Sequence, residues 1–218
     1  MKKYILFGIP VTLALLLAVF GSDLLGVYRL QSFIAASAEA SRVDEGPWPQ
    51  ATDTCVLCHG VNGNSVNQGY PSLAGQPAPY LETQLHNFAS EARRNPTMGP
   101  LAMTMSDSQI KGLAAYFAKA TPIANQYFAP QQQLRERGKH LVEGGNCAAC
   151  HGAQLMGQGQ FPRLAGQGYD YLLAQFDEFA SGIRSEPTGM MKNIALRTSS
   201  ADRKAIASYL ASLDPKRN

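Results

Sequence analysis

The stretch "CVLCHG" at residues 55–60 returns as "CAACHG" at residues 147–152. These two hexapeptides use all four cysteines of the 218-residue chain, and in each a His directly follows the second Cys. Four cysteines in two C-x-x-C pairs are compatible with two disulfides in an oxidising compartment, with a redox dithiol, or with a four-cysteine zinc site. Each of those readings leaves the His unexplained. Cys-x-x-Cys-His is the attachment signature of c-type haem: two thiols bond to the porphyrin vinyl groups and the next imidazole reaches the iron. The spacing has a physical reason, since one helical turn lays both cysteines along the ring edge and brings the His under the metal. Cys55, Cys58, Cys147 and Cys150 are therefore the expected attachment points of two covalently bound haem c groups, with His59 and His151 as iron ligands.

The duplication extends beyond the motif. "YPSLAGQPAPYLETQLHNFAS" (70–90) matches "FPRLAGQGYDYLLAQFDEFAS" (161–181), pairing Pro71 with Pro162, Leu73-Ala74-Gly75-Gln76 with Leu164-Ala165-Gly166-Gln167, Tyr80 with Tyr171, Gln84 with Gln175 and Phe88 with Phe179. In each copy P-x-L-A-G-Q reads as a loop. Tyr80 to Ala89 and Tyr171 to Ala180 read as amphipathic helices, their apolar residues recurring at three- and four-residue intervals. A last helical stretch follows in each, "SDSQIKGLAAYFAKA" (106–120) and "SSADRKAIASYLASL" (199–213), opened by an N-cap Ser or Asp. The expected fold is all-α, with two tandem small helical bundles at 51–122 and 134–218 and a Pro-containing linker at 123–133.

A haem iron held by one His takes a sixth ligand or stays open for chemistry, and a Met there gives electron transfer. The first copy has Met98, Met103 and Met105 before its last helix, and the second has Met190 and Met191. Pairing Ser106 with Ser199 and Tyr116 with Tyr209 places Met98 on Met191, and Met103 and Met105 on Leu196 and Thr198. Met98 and Met191 are the symmetric choice, with Met190 the main rival.

Composition supports a globular, loop-rich protein: 45% hydrophobic residues, 20 Gly and 13 Pro. A formal charge of +3, with no Lys/Arg run interleaved with aromatics, argues against nucleic acid as a partner. After Lys2 and Lys3 comes "YILFGIPVTLALLLAVF", which carries no charge, and the candidate cleavage sites near Ala36-Ser37-Ala38 lie well beyond it. As one helix, residues 4–28 would measure roughly 37 Å at about 1.5 Å per residue, enough for a bilayer core of about 30 Å. The expectation is a retained transmembrane helix at 1–30 and a spacer at 31–50. It anchors the chain in the bacterial inner membrane, with the lipid bilayer as a partner and the haem domains in the periplasm.

Two C-x-x-C-H motifs, each followed by P-x-L-A-G-Q, a helix and a Met ahead of the last helix, resemble the dihaem class I cytochromes c of the cytochrome c4 type. The likeness covers about residues 52–213. It implies two cytochrome c domains related by pseudo-twofold symmetry, with haems near each other at the interface. It also implies one-electron shuttling between a membrane respiratory complex or dehydrogenase as donor and a terminal oxidase as acceptor. Carried over by position, it implies Cys55, Cys58, Cys147 and Cys150 as thioether bonds, His59 and His151 as proximal ligands, and Met98 and Met191 as distal ones. The carbonyls of Pro71 and Pro162 are implied as acceptors of the histidine Nδ1 protons, the contact that orients a ligating imidazole. The family's opening helix is expected to be short or missing in the first domain, where Pro47 and Pro49 lie just upstream of Cys55.

An electron carrier is the leading function class. A haem-bearing, membrane-anchored subunit of a dehydrogenase or oxidase complex is the alternative. A dihaem peroxidase is disfavoured by a Met candidate in both copies, and no catalytic residues are expected. Arg93, Arg94 and Arg184 precede the distal Met of their copies and read either as partners of haem carboxylates or as solvated loop charges.

Overall fold

Helices form where apolar periodicity and capping residues place them. The computed structural model describes residues 17, 19–21, 23–32, 34–35 and 50–215. The chain comprises two compact units, Met1–Gln50 and Ala51–Asn218. Within the second unit the order is α1 (Asp53–His59), a 3-10 turn (Val61–Gly63), α2 (Ala78–Ala89), α3 (Met98–Met103), α4 (Asp107–Lys119), α5 (Gln132–Gly144), α6 (Ala148–His151), α7 (Tyr169–Ser181), α8 (Met190–Arg197) and α9 (Ser200–Ala211). The expected all-α fold in two tandem halves is what these elements build.

In the first unit the described residues between 17 and 35 are helical, and their large apolar side chains, among them Phe20, Leu24, Leu25 and Tyr28, are exposed. The expected transmembrane anchor, with the inner-membrane localisation built on it, is corrected: among the described residues no helix is long and apolar enough to cross a membrane. Asp23, Arg29, Gln31 and Ser32 interrupt the apolar residues in this segment, and a charge within a span is costly. Residues 4–16 of the expected span, the candidate cleavage sites and most of the expected spacer lie outside the described residues.

Each last helix begins on a side-chain cap. Ser106 Oγ accepts from Gln109 N at 3.3 Å while Gln109 Oε1 accepts from Ser106 N at 2.8 Å, a reciprocal capping box at the start of α4. Ser199 Oγ accepts from Asp202 N at 3.1 Å at the start of α9. In the first half α2 packs on α3 and α4, and Tyr80, Leu81, Leu113, Ala114 and Phe117 form its core. In the second, α7 packs on α8 and α9 around Leu172, Phe176, Phe179, Ile206 and Leu210. Helices α3 and α8 were not anticipated: the sequence reading placed only the candidate methionines between the second and last helix of each copy. In the unit beginning at Ala51 the first half opens directly on α1, whereas the second half has the full helix α5 packed against α9.

Two glycines permit close approaches. Helix α5 meets α9 at Gly138, where a Cβ would lie 2.0 Å from the Ala205 carbonyl oxygen and 2.7 Å from Tyr209 Cβ. The halves meet at Gly168, where a Cβ would lie 2.4 Å from the Gln68 carbonyl oxygen. That carbonyl accepts from Tyr171 N at 2.9 Å, and Gln68 Oε1 accepts from Tyr169 N at 3.0 Å. A residue of the first half thus satisfies amides at the start of α7 that have no partner within the helix.

Gly138→Ala is expected to cost about 3 kcal/mol, because the two helix backbones must separate. Thermal unfolding of the holoprotein should show a midpoint lower by about 6–12 °C. Gly112→Ala, in α4 with nothing near the added Cβ, should instead stabilise by about 0.5–1 kcal/mol.

Candidate haem sites

Helix α1 carries Cys55, Cys58 and His59 on consecutive turns, and the single-turn α6, capped by Cys147, carries Cys150 and His151. All four thiols are free and half-buried. Burial pushes the Cys55 and Cys147 thiols upward, the opposite of the depressed thiolate that a C-x-x-C oxidoreductase requires. Among the described residues no three His, Cys, Asp or Glu side chains converge on a metal-ion position. The two pairs therefore do not meet in a four-cysteine centre.

Both histidines are buried, at 7% and 6% exposure. His59 Nδ1 donates to the Pro71 carbonyl at 2.7 Å, and His151 Nδ1 donates to the Pro162 carbonyl at 2.8 Å. A carbonyl only accepts, so the Nδ1 proton is fixed in place and Nε2 is the ring's unprotonated, metal-binding nitrogen. Burial lowers the pKa of both imidazoles, and the carbonyl contact opposes this only in part. A neutral base beside two uncommitted thiols one helical turn apart is the donor set that covalent haem c takes, and these residues fit it.

The candidate methionines lie at the starts of the unanticipated helices. Met98 opens α3, half-buried, its amide donating to Asn95 Oδ1 at 2.8 Å. Met191 is the second residue of α8, half-buried, its amide donating to Glu186 Oε1 at 3.0 Å, and it packs against the second core as Cys147 does. The rivals Met190 and Met103 are exposed, at 42% and 52%. Met105 packs against the first core together with Cys55.

The sequence reading missed a polar cluster joining the halves. Arg93 donates to Gln84 Oε1 at 2.8 Å in its own half, and to Tyr171 Oη at 3.2 Å and Gln175 Oε1 at 2.6 Å in the other. Arg184 does the reverse, donating to Gln175 Oε1 at 2.6 Å, Tyr80 Oη at 3.2 Å and Gln84 Oε1 at 3.1 Å. Each guanidinium also lies over a phenylalanine ring of its own half, Arg93 4.6 Å from the Phe88 centroid and Arg184 4.7 Å from that of Phe179. Arg184 is buried, so the solvated-loop reading fails for it, while Arg94 is exposed. A signal was available: the repeat keeps Tyr, Gln, Phe and Arg identical at all four paired positions.

Comparison with known proteins agrees with this geometry. The cytochrome c family model matches residues 50–121 and 135–214. A thiosulfate dehydrogenase electron acceptor of Thiomonas intermedia (strain K12) is 36% identical over 173 residues, covering 75% of this chain and 80% of the relative. A cytochrome c4 of Thiocapsa roseopersicina is 35% identical over 176 residues, covering 75% of this chain and 89% of the relative. The crystal structure of reduced recombinant cytochrome c4 from Pseudomonas stutzeri superposes with a TM-score of 0.70 at 28% identity, covering 81% of this chain and 98% of that one.

Arg184→Ala removes the guanidinium bonds to Tyr80 and Gln84 across the halves and to Gln175 in its own half, leaving the two glutamines only Arg93, and is expected to lower the unfolding free energy by about 2–4 kcal/mol in denaturant titrations. Arg94→Ala, on the exposed neighbour of Arg93, should stay within about 0.5 kcal/mol of the parent.

Proposed function

Since the chain belongs to the cytochrome c family, as a dihaem electron-transfer protein of the cytochrome c4 type with two covalently bound haem c groups, we propose that it passes single electrons from a dehydrogenase or membrane respiratory complex to a terminal oxidase. The observation that carries this reading is the duplicated site, in which each buried His is held by one backbone carbonyl at nearly the same distance. Bound haem iron supplies reversible one-electron chemistry. The chain's own residues hold and orient it. In this reading Cys55, Cys58, Cys147 and Cys150 would form the thioether bonds, and His59, His151, Met98 and Met191 would hold the iron. Pro71 and Pro162 keep each imidazole in the tautomer that presents Nε2. Domains at 51–122 and 134–218, joined by 123–133, carry one haem each.

A His and a Met for each iron would suit transfer rather than turnover. Arg184 is buried and the acceptors its guanidinium bonds in the cluster described above are neutral, so a haem carboxylate would be a fitting further counter-charge for it. A dehydrogenase donor is supported by the relative named as a thiosulfate dehydrogenase electron acceptor. Rapid mixing of the oxidised holoprotein with reduced donor enzyme, then with oxidase, should show both haems reduced and reoxidised within turnover time. Failure of either half-reaction with every such partner would remove the carrier reading. Stable co-purification with a dehydrogenase would replace it with a fixed subunit of that complex.

Met98→Ala and Met191→Ala should each abolish about half of the methionine-to-iron charge-transfer absorption and lower the potential of one haem. An unchanged spectrum for Met98→Ala would pass the first ligand role to Met105, which already packs with Cys55.

A further inference from the structure

The P-x-L-A-G-Q loops contain a second pair of contacts that the haem sites do not require. Gln167, 1% exposed, grips the backbone of Ser72 in the other half: its Oε1 accepts from Ser72 N at 2.7 Å and its Nε2 donates to Ser72 O at 3.0 Å. Gln76, 3% exposed, grips Arg163 in the same way: its Oε1 accepts from Arg163 N at 2.8 Å and its Nε2 donates to Arg163 O at 3.0 Å. Each loop's terminal Gln is thus clamped onto the residue after the Pro of the opposite loop.

The covalent chain gives this arrangement a consequence. The Ser72 amide and the Pro71 carbonyl belong to one planar peptide, with its donor and acceptor on opposite edges. The Pro71 carbonyl accepts from His59. Read in order, the hydrogen bonds run from His59 Nδ1 to the Pro71 carbonyl, through one peptide, and from the Ser72 amide to Gln167 Oε1. The mirror chain runs from His151 through the Pro162–Arg163 peptide to Gln76. Hydrogen bonds in series polarise one another, most strongly where water is excluded. An acceptor on the peptide N–H makes its C=O a better acceptor, which draws on the Nδ1 proton and makes Nε2 a stronger donor to a metal.

We propose that Gln167 and Gln76 are positioning residues acting in trans: each tunes the axial histidine of the opposite half through a single shared peptide. Docking of the halves and the ligand strength at each iron are then one property, and a change at the interface that loosens a clamp shifts the haem across it. This rests on His59 and His151 being the axial ligands proposed above.

The test uses the holoprotein with ¹⁵N-labelled histidine and redox titration of both haems, each wave assigned to its half by haem-methyl resonances. In the parent, strongly ring-current-shifted imidazole signals from His59 and His151 in the reduced state establish ligation; their absence would remove the ligand assignment, independently of the relay. Given ligation, Gln167→Met should move the His59 Nδ1–H resonance upfield and raise the potential of the first-half haem. The His151 signal and the second-half potential should stay at parent values. Gln76→Met should do the reverse. Gln167→Glu keeps an oxygen facing the Ser72 amide in either protonation state, and should return the His59 signal towards the parent. The proposal is overturned if a Met variant shifts both haems equally, if it shifts the haem of its own half, or if it lowers stability with neither histidine signal moved. A Glu variant that behaves as the Met variant also overturns it.

Discussion

A buried peptide group has two polar edges, and both must find partners where no water reaches. The peptides at Pro71–Ser72 and Pro162–Arg163 meet this demand in two directions. Their carbonyls take the Nδ1 protons of the histidines in their own halves, and their amides take glutamine oxygens from the opposite halves. Haem site and domain interface are therefore opposite edges of one plane of atoms. Neither edge can shift without disturbing the other, which explains why the P-x-L-A-G-Q segment recurs intact in both copies while the loops around it differ.

Around this centre the interface is polar where a helical core is usually apolar. Arg163, 1% exposed, donates Nε to Ala74 O at 3.1 Å across the halves and also bonds the Ala165 carbonyl in its own loop. Arg93 and Arg184 interleave with paired Tyr and Gln side chains. Burying a guanidinium is expensive, and for Arg93 and Arg184 the phenylalanine faces and the Tyr and Gln acceptors offset part of that cost. The same polar contacts tie the two halves together through side chains that the repeat supplies twice.

The halves are duplicates in motif and unequal in cover. Among the described residues only the second has a helix such as α5 over its last helix, with the α5–α9 approach permitted by Gly138. Only the start of α7 draws on Gln68 of the other half, across the contact at Gly168. Gln68 is itself held by the linker residue Asn125, through paired amide bonds at 3.0 and 2.9 Å. The linker is thereby part of the packed structure.

Much of this was legible in the sequence because it is local or repeated. Cys-x-x-Cys-His spans one helical turn, apolar periodicity marks α2, α4, α7 and α9, and the caps at Ser106 and Ser199 lie within three residues of their partners. The bonds from His59 to Pro71 and from His151 to Pro162 were implied by family likeness and lie within twelve residues of chain. The helices α3 and α8 were missed because they are short and their apolar residues were weighed only as ligand candidates. The N-terminal run was read from its length, its hydropathy and its distance from the cleavage candidates, with Asp23 placed at the outer interface; among the described residues no helix there is long and apolar enough to cross a membrane. What only the tertiary structure decided is the trans pairing: Gln167 with Ser72 is separated by 95 residues and Gln76 with Arg163 by 87. An isolated Gln at the end of a loop carries no periodicity and no charge to announce a partner. Its role arises when two halves dock and leave one peptide amide in each loop with no water to bond.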